Sequence, residues 1–220
     1  MVQRFLASIG DVCGQRVLDL GCGNGLLSIY LAQLGAEVVA IDTASQAIDN
    51  LRALATVNGV EERVDAIVLD AQSLADRGES FDLVIGQFIL HHVEPFDAFV
   101  PVLARLVRSG GRGLFYENSS RNRLLMLLRG GLPGRLGIPK NSDSTEYPLE
   151  PSEVEQLRVG CPVVSVDVQA FVMFHYIAGY LAGGRTWVGS ICDAIDKAVY
   201  RLTPFLRRYS YHQVIRIDRV

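Results

Sequence analysis

The stretch LDLGCGNGLL, residues 18–27, is an apolar run holding one acid, then three glycines at alternate positions, then leucines again. An apolar run that enters a glycine-rich turn and leaves as a helical pattern describes the first strand–turn–helix unit of an open α/β sheet. Glycines let such a turn lie close to a ligand and aim backbone N–H groups at it. Two cofactor classes compete for it. The dinucleotide fingerprint asks for G-x-G-x-x-G/A, and Gly21 and Gly23 meet its first two positions. Its third falls on Leu26, whereas the third glycine here is Gly25. That spacing weakens a nicotinamide or flavin assignment. Acids stand on both sides of the turn: Asp19 before it, Asp42 at the end of a second strand, and Asp70 at the end of a third. Asp42 lies about 20 residues past the first glycine, where a carboxylate can accept from both ribose hydroxyls.

Working outward, short β-branched runs alternate with helical segments from Arg16 to Asn118, as in a parallel sheet with crossover helices. The pattern predicts strands at 16–21, 37–42, 64–69, 81–86 and 112–117. It places Leu27, Tyr30, Leu31 and Leu34 on one helical face, Ala47, Ile48, Leu51, Leu54 and Ala55 on another, and Phe99, Leu103, Leu106 and Val107 on a third. Pro101 kinks or restarts that third helix, and the glycines of SGG (109–111) end it. After Asn118 the pattern changes. Residues 119–150 hold a basic-flanked apolar helix and a long turn-rich connection of the kind that forms lids. A strand at 163–172, a helix from Ser190 phased on Ile191, Ile195, Val199, Leu202 and Phe205, and a final strand at 211–217 complete the chain.

The 220 residues, 49% hydrophobic, suit one domain spanning 1–220. A net charge of -3 with no run of like charges gives no footprint for nucleic acid. Cys13, Cys22, Cys161 and Cys192 are too scattered for a metal site and read as small buried residues of a reducing compartment. With neither a signal-peptide core nor a membrane-spanning run, the chain is expected to be cytoplasmic.

In VLDLGCGNG (17–25), VVAID (38–42), VLDAQSL (68–74), FDLVIGQFILHHV (81–93) and LVRSGGRGLFYE (106–117), the chain resembles the class I S-adenosylmethionine-dependent methyltransferases, in particular the small-molecule branch of quinone and natural-product enzymes. The resemblance implies a Rossmann-like α/β fold: a seven-stranded, mostly parallel sheet with an antiparallel C-terminal strand and helical lid insertions. It implies S-adenosylmethionine as cofactor, S-adenosylhomocysteine as product and no metal. Asp19 and the loop Gly21, Cys22, Gly23, Asn24 and Gly25 would hold the methionine portion, Asp42 the ribose with Thr43 beside it, and Asp70 and Ala71 the adenine. Gln87, closing strand four, joins that set. Cys22 is read as a small loop residue and not a nucleophile.

His91 and His92 lie just past strand four, where ligands bind in open α/β sheets. Alternation lets one of them face the pocket, and the resemblance favours His92, whose neutral imidazole could take a proton. Glu117, ending strand five, is the rival base. Methyl transfer to a good nucleophile also proceeds by alignment alone. About fifteen residues precede strand one, where relatives usually carry a helical segment over the substrate; either the chain is truncated or the cover comes from elsewhere, and 119–150 with 175–208 are expected to form it. Phe174, Tyr176, Tyr180 and Trp187 would then line it around a small, apolar acceptor. Arginines flanking the apolar stretch within 121–129 either snorkel from a packed helix or meet a membrane surface. The rivals to methyl transfer are an NAD-dependent oxidoreductase and a non-catalytic cofactor-binding partner protein.

Overall fold

The computed structural model describes residues 2–131, 147–182 and 186–220. Seven strands, β1 (Arg16–Leu20), β2 (Glu37–Asp42), β3 (Val64–Val68), β4 (Phe81–Gln87), β5 (Val107–Asn118), β6 (Val163–Asp167) and β7 (His212–Asp218), form one sheet in the order β3-β2-β1-β4-β5-β7-β6. The first five run parallel, and β7 inserts antiparallel between β5 and β6. The order reverses direction between β1 and β4, which opens a crevice at their carboxyl ends.

Both faces are covered, so the central strands are continuous apolar runs. On one face α1 (Val2–Ile9), α2 (Leu26–Gln33) and α3 (Ser45–Asn58) bury Phe5, Ile29, Leu31, Ile48 and Leu51 against Val17, Val38, Leu83, Ile85 and Tyr116. On the other, α4 (Phe96–Leu106) packs Phe96, Phe99 and Leu103 on Leu18, Leu20, Val84 and Phe115. A short helix, α5 (Arg123–Gly131), follows β5, and α6 (Pro151–Gly160) then adds Val154 and Leu157 to the α4 face. The crossover from β6 to β7 carries α7 (Phe174–Ala182) and α8 (Thr186–Leu202), which pack on each other.

Several boundaries depart from those expected. In α2 the buried stripe is Ser28, Ile29, Leu31 and Ala32, while Tyr30 and Leu34 face solvent, because the turn at Gly25 sets the helix's rotation on the sheet. Helix α4 runs through Pro101 without a break and ends at Leu106; Val107 already pairs with Phe81, and the SGG segment belongs to β5 behind a register shift. Strand β6 stops at Asp167, since β7 beyond Val214 has turned to other partners: Tyr211 N–H donates to Val172 O, and Val172 N–H to Ser210 Oγ. Helix α8 begins at Thr186, and the apolar residues that phase it face outward, with Ile191, Leu202 and, just beyond the helix, Phe205 exposed. Of the cysteines, Cys22 and Cys161 are buried but Cys13 is exposed.

A helical segment does precede β1. Phe5 is fully buried, its ring centroid 5.4 Å from that of Tyr116, and the Arg4 guanidinium donates to Gln169 O. Replacing Phe5 with alanine is expected to cost about 3–5 kcal/mol of stability through the cavity it leaves, measured by urea unfolding. An unchanged midpoint would mean that α1 does not hold to the sheet.

Candidate active site

The turn between β1 and α2 is built by backbone conformation. Gly21, Gly23 and Gly25 take φ of 67°, 49° and 76°, the left-handed region that L side chains avoid. A Cβ on Gly21 would lie 2.4 Å from Ile89, and one on Gly25 2.7 Å from Leu51, so these two are closed in by protein. Gly23 is different: nothing lies within 4 Å of where its Cβ would be, which leaves the middle of the turn open to a ligand. Helix α2 starts from Gly25 with no side-chain cap; Leu26 N–H donates to Asn24 Oδ1 at 3.3 Å, and the next N–H groups of the first turn are left for a carboxylate.

Asp42 holds this loop in shape. Its Oδ2 accepts from Gly23 N–H and its Oδ1 from Ala44 N–H, each at 2.9 Å. An ionised carboxylate has about four acceptor sites, so two remain for a ribose diol. Asp70 accepts from Gln72 N–H at 2.8 Å and is otherwise exposed, with Ala71 buried beside it. Thr43 and Asn24 are exposed. Asp19 lies deeper: it is buried and accepts from the Ser28 hydroxyl of α2. Burial pushes its carboxyl up to about 6, with the nearby Asp42 charge acting the same way and the Ser28 hydrogen bond opposing both. Burial likewise pushes the Cys22 thiol up to about 12, so it carries no thiolate at neutral pH.

Past β4 the chain turns sharply. Phe88 has φ of 55°, held there as its N–H donates to Tyr116 O at 2.8 Å. The fully buried Glu117 accepts from Ile89 N–H and Leu90 N–H through Oε1, both at 2.8 Å, and meets His91 Nδ1 at 2.7 Å through Oε2. Glu117 therefore anchors the turn. His91 is directed to the α6 side, where it lines a polar cavity of about 420 Å³ with Glu94, Asp97 and Glu153. His92 is exposed, its ring 4.2 Å from that of His91.

On the opposite face, next to Gln87, lies a cavity of about 520 Å³ walled by Phe88, Tyr116, Phe171, Tyr176 and His212. The Tyr116 and His212 rings stack at 5.2 Å, and Phe88 meets Tyr116 edge-on at 5.1 Å. His212 Nε2 is 3.0 Å from the Tyr176 hydroxyl. Its Nδ1 is buried without a partner, as is Oδ1 of its cross-strand neighbour Asn118. Burial, then the proximity of His175, pushes the His212 imidazole down to about 4. His175 closes the mouth by pairing with Asp193 of α8 at 2.6 Å. Neither His212 nor the cavity was anticipated from sequence, where the closing strand shows no motif; the signal available was alternation, which puts Tyr116, Val214 and His212 on one face of the sheet.

Tyr176 lines the cavity, but Trp187 is 62% exposed on the outside of α8. Residues 132–146, within the expected lid, and the Tyr180 side chain lie outside the described residues. Helix α5 buries Leu125 and exposes Leu124 and Leu127. Among the described residues no group of His, Cys, Asp or Glu is arranged to hold a metal, and no helix is long and apolar enough to cross a membrane.

Residues 17–111 match the methyltransferase domain family. The chain is 42% identical over 98 residues to a ubiquinone biosynthesis O-methyltransferase of Sinorhizobium fredii, covering 44% of this chain and 39% of that protein. It is 39% identical over 158 residues to the protein of the same name from Chelativorans sp., covering 70% of this chain and 60% of the relative. It thus spans between 39% and 60% of the length of these relatives. The magnesium protoporphyrin IX methyltransferase of Synechocystis PCC 6803, solved with S-adenosylhomocysteine bound, superposes over 100% of this chain and 80% of its own with a TM-score of 0.63 at 20% identity, a likeness of fold. Residues 17–111 are thus a methyltransferase domain, and the relatives and the fold support a class I S-adenosylmethionine-dependent methyltransferase. The open face at Gly23, the uncapped α2 and the spare acceptor sites of Asp42 fit the carboxylate and ribose of that cofactor.

Because Asp19 has a raised pKa in the fold, ionising it opposes folding: the penalty is absent below its unfolded value and complete above about pH 6. Asp19→Asn keeps an acceptor for Ser28 and removes the charge. Its unfolding free energy should exceed wild type by about 2–3 kcal/mol at pH 7.5 and match it at pH 3.5. The same variant should bind S-adenosylhomocysteine less tightly. A stability difference that does not change with pH would show that Asp19 is not the strained carboxylate.

Proposed function

We propose that the protein transfers a methyl group from S-adenosylmethionine to an O, N or C nucleophile of a small apolar acceptor held in the aromatic cavity beside Gln87. One observation carries the assignment of that site: a ring-walled cavity of about 520 Å³ opens where β4 ends, next to the crevice that fits the cofactor. Cavities of this size, apolar with a few placed polar groups, hold small molecules. The bound cofactor supplies an electrophilic methyl group on a sulfonium. The glycine loop holds the cofactor's methionine end and Asp42 its ribose, and the wall of Phe88, Tyr116 and Tyr176 excludes water from the acceptor. The name of the two relatives, ubiquinone biosynthesis O-methyltransferase, favours an oxygen nucleophile.

His212 suits the acceptor's polar end. With its pKa pushed down to about 4 the imidazole is neutral at physiological pH. In the tautomer whose Nε2–H donates to the Tyr176 hydroxyl, Nδ1 keeps a lone pair that can accept from an acceptor hydroxyl. Such a hydrogen bond orients the oxygen for in-line attack, and alignment supplies much of the acceleration. Glu117 is occupied by three donors, so in this reading it positions the turn and does not take the proton.

Asp42→Ala should weaken S-adenosylmethionine binding by about 1.5–3 kcal/mol, roughly ten- to a hundredfold, in calorimetry. Equal affinity in a folded variant would remove Asp42 from the cofactor site. For the acceptor, turnover of a panel of phenols and catechols with labelled cofactor is the direct test. His212→Ala should lower kcat/KM for the best acceptor by at least about tenfold while leaving cofactor affinity unchanged. A larger loss from His92→Ala than from His212→Ala would move the acceptor to the other side of the turn.

A further inference from the structure

On the face of the sheet away from the aromatic cavity, a second cavity of about 430 Å³ is lined by Arg121, Arg158, Arg207, Arg208, Ser210 and Gln213. We propose that it is a binding site for a phosphate-bearing ligand, a monoester or diphosphate, distinct from the methyl-transfer site.

The four arginines come from three separate places: the segment after β5, helix α6 and the turn before β7. Guanidinium groups gathered around one hollow repel one another unless anions offset them. The protein supplies few. Asp167 is the acid among the lining residues, and Arg158 is shared with Glu155 at 3.3 Å. Among the described residues no carboxylate pairs with Arg121, Arg207 or Arg208. Two of these cations are nevertheless held in place. Arg207 lies over the Tyr200 ring at 4.2 Å and donates through Nε to Tyr200 O at 2.8 Å, and Arg208 lies over the Tyr209 ring at 5.0 Å. A stacked, planar guanidinium with its fork fixed is preorganised for bidentate contact with phosphate oxygens, which a lysine is not.

An independent observation points into the same hollow. Gln213 is 7% exposed, and its Nε2 is buried with no hydrogen-bond partner. A buried amide donor left unsatisfied is unfavourable, and native structures leave few of them. An anion oxygen would satisfy it. Alternation along β7 explains why this site is separate from the first: His212 and Gln213 are neighbours, so their side chains fall on opposite faces of the sheet. The source of the phosphate is either a soluble phosphorylated metabolite or a lipid headgroup. Exposed Leu124 and Leu127 near Arg121 give the second source a surface to rest on.

The test is calorimetric titration of pyrophosphate into the full chain saturated with S-adenosylhomocysteine, which blocks the glycine loop. The expected result is a Kd below about 1 mM, weakened at least about tenfold in Arg121→Gln/Arg208→Gln while affinity for S-adenosylhomocysteine is kept. No binding by wild type, or equal binding by a folded double variant, overturns the site. Should the double variant fail to fold, hydrogen exchange on wild type decides. Pyrophosphate must then slow exchange in 154–158 and 204–213, and an unchanged pattern there overturns the proposal. Co-sedimentation with phosphatidylcholine vesicles, with and without phosphatidic acid, separates the sources. Capture that needs phosphatidic acid and is released by pyrophosphate assigns the headgroup, and soluble binding without capture assigns a metabolite.

Discussion

The buried carboxylate of Glu117 is the contact on which the rest of the site depends. A carboxylate with no exposed surface is tolerated when donors surround it, and here two backbone N–H groups and an imidazole do so. Together they lock the turn after β4 to the end of β5. From that turn the neighbouring residues diverge. Phe88, forced to a left-handed φ, goes to the aromatic cavity; Ile89 lies against Gly21 and so against the cofactor loop; His91 goes to the polar side under α6. One fixed turn thus keeps three environments apart at the carboxyl edge of the sheet. Moving it by a residue would exchange them.

What could be read from the sequence follows from how local each signal is. The glycine turn, the acids at three strand ends and the places of the first five strands along the chain are written within short windows, and the structure reproduces them. Helix α3 buries Ile48, Leu51 and Ala55 as its period requires. Helix α2 does not follow its leucines, because it is apolar nearly all round and the sheet, through Gly25, decides which side is buried. Whether Glu117 serves as a base or holds a turn was left open by the sequence for a different reason. An acid at a strand end looks the same whether it awaits a substrate proton or is saturated by a turn 26 to 28 residues away in the chain.

The outer parts were less legible because their meaning depends on distant segments. Trp187, Ile191 and Leu202 share a helical stripe that in most proteins would be core, yet here it is the outward side, and the inward side of α8 offers Asp196 to cap α7 through three backbone N–H groups. A buried polar cap outranks apolar phase where it satisfies the open N–H groups of a neighbouring helix. The arginines around Gln213 are equally unremarkable in sequence. Spread over Arg121 to Arg208, they become a cluster through the position of β7 between β5 and β6.

Around the aromatic cavity, segments far apart in the sequence meet: Phe5 touches Tyr116, Tyr116 stacks on His212, and Arg4 reaches Gln169. This has a consequence for synthesis on the ribosome. The units β1 to β4 need mostly nearby partners and can assemble as they emerge, whereas contacts of such long sequence separation carry the greatest loop-closure entropy and wait for the final strand. Until β7 docks, Phe5 and Tyr116 remain without their full packing partners, and the nascent chain presents that greasy surface to chaperones. Among the described strands the one that carries His212 into the cavity is therefore the last to dock.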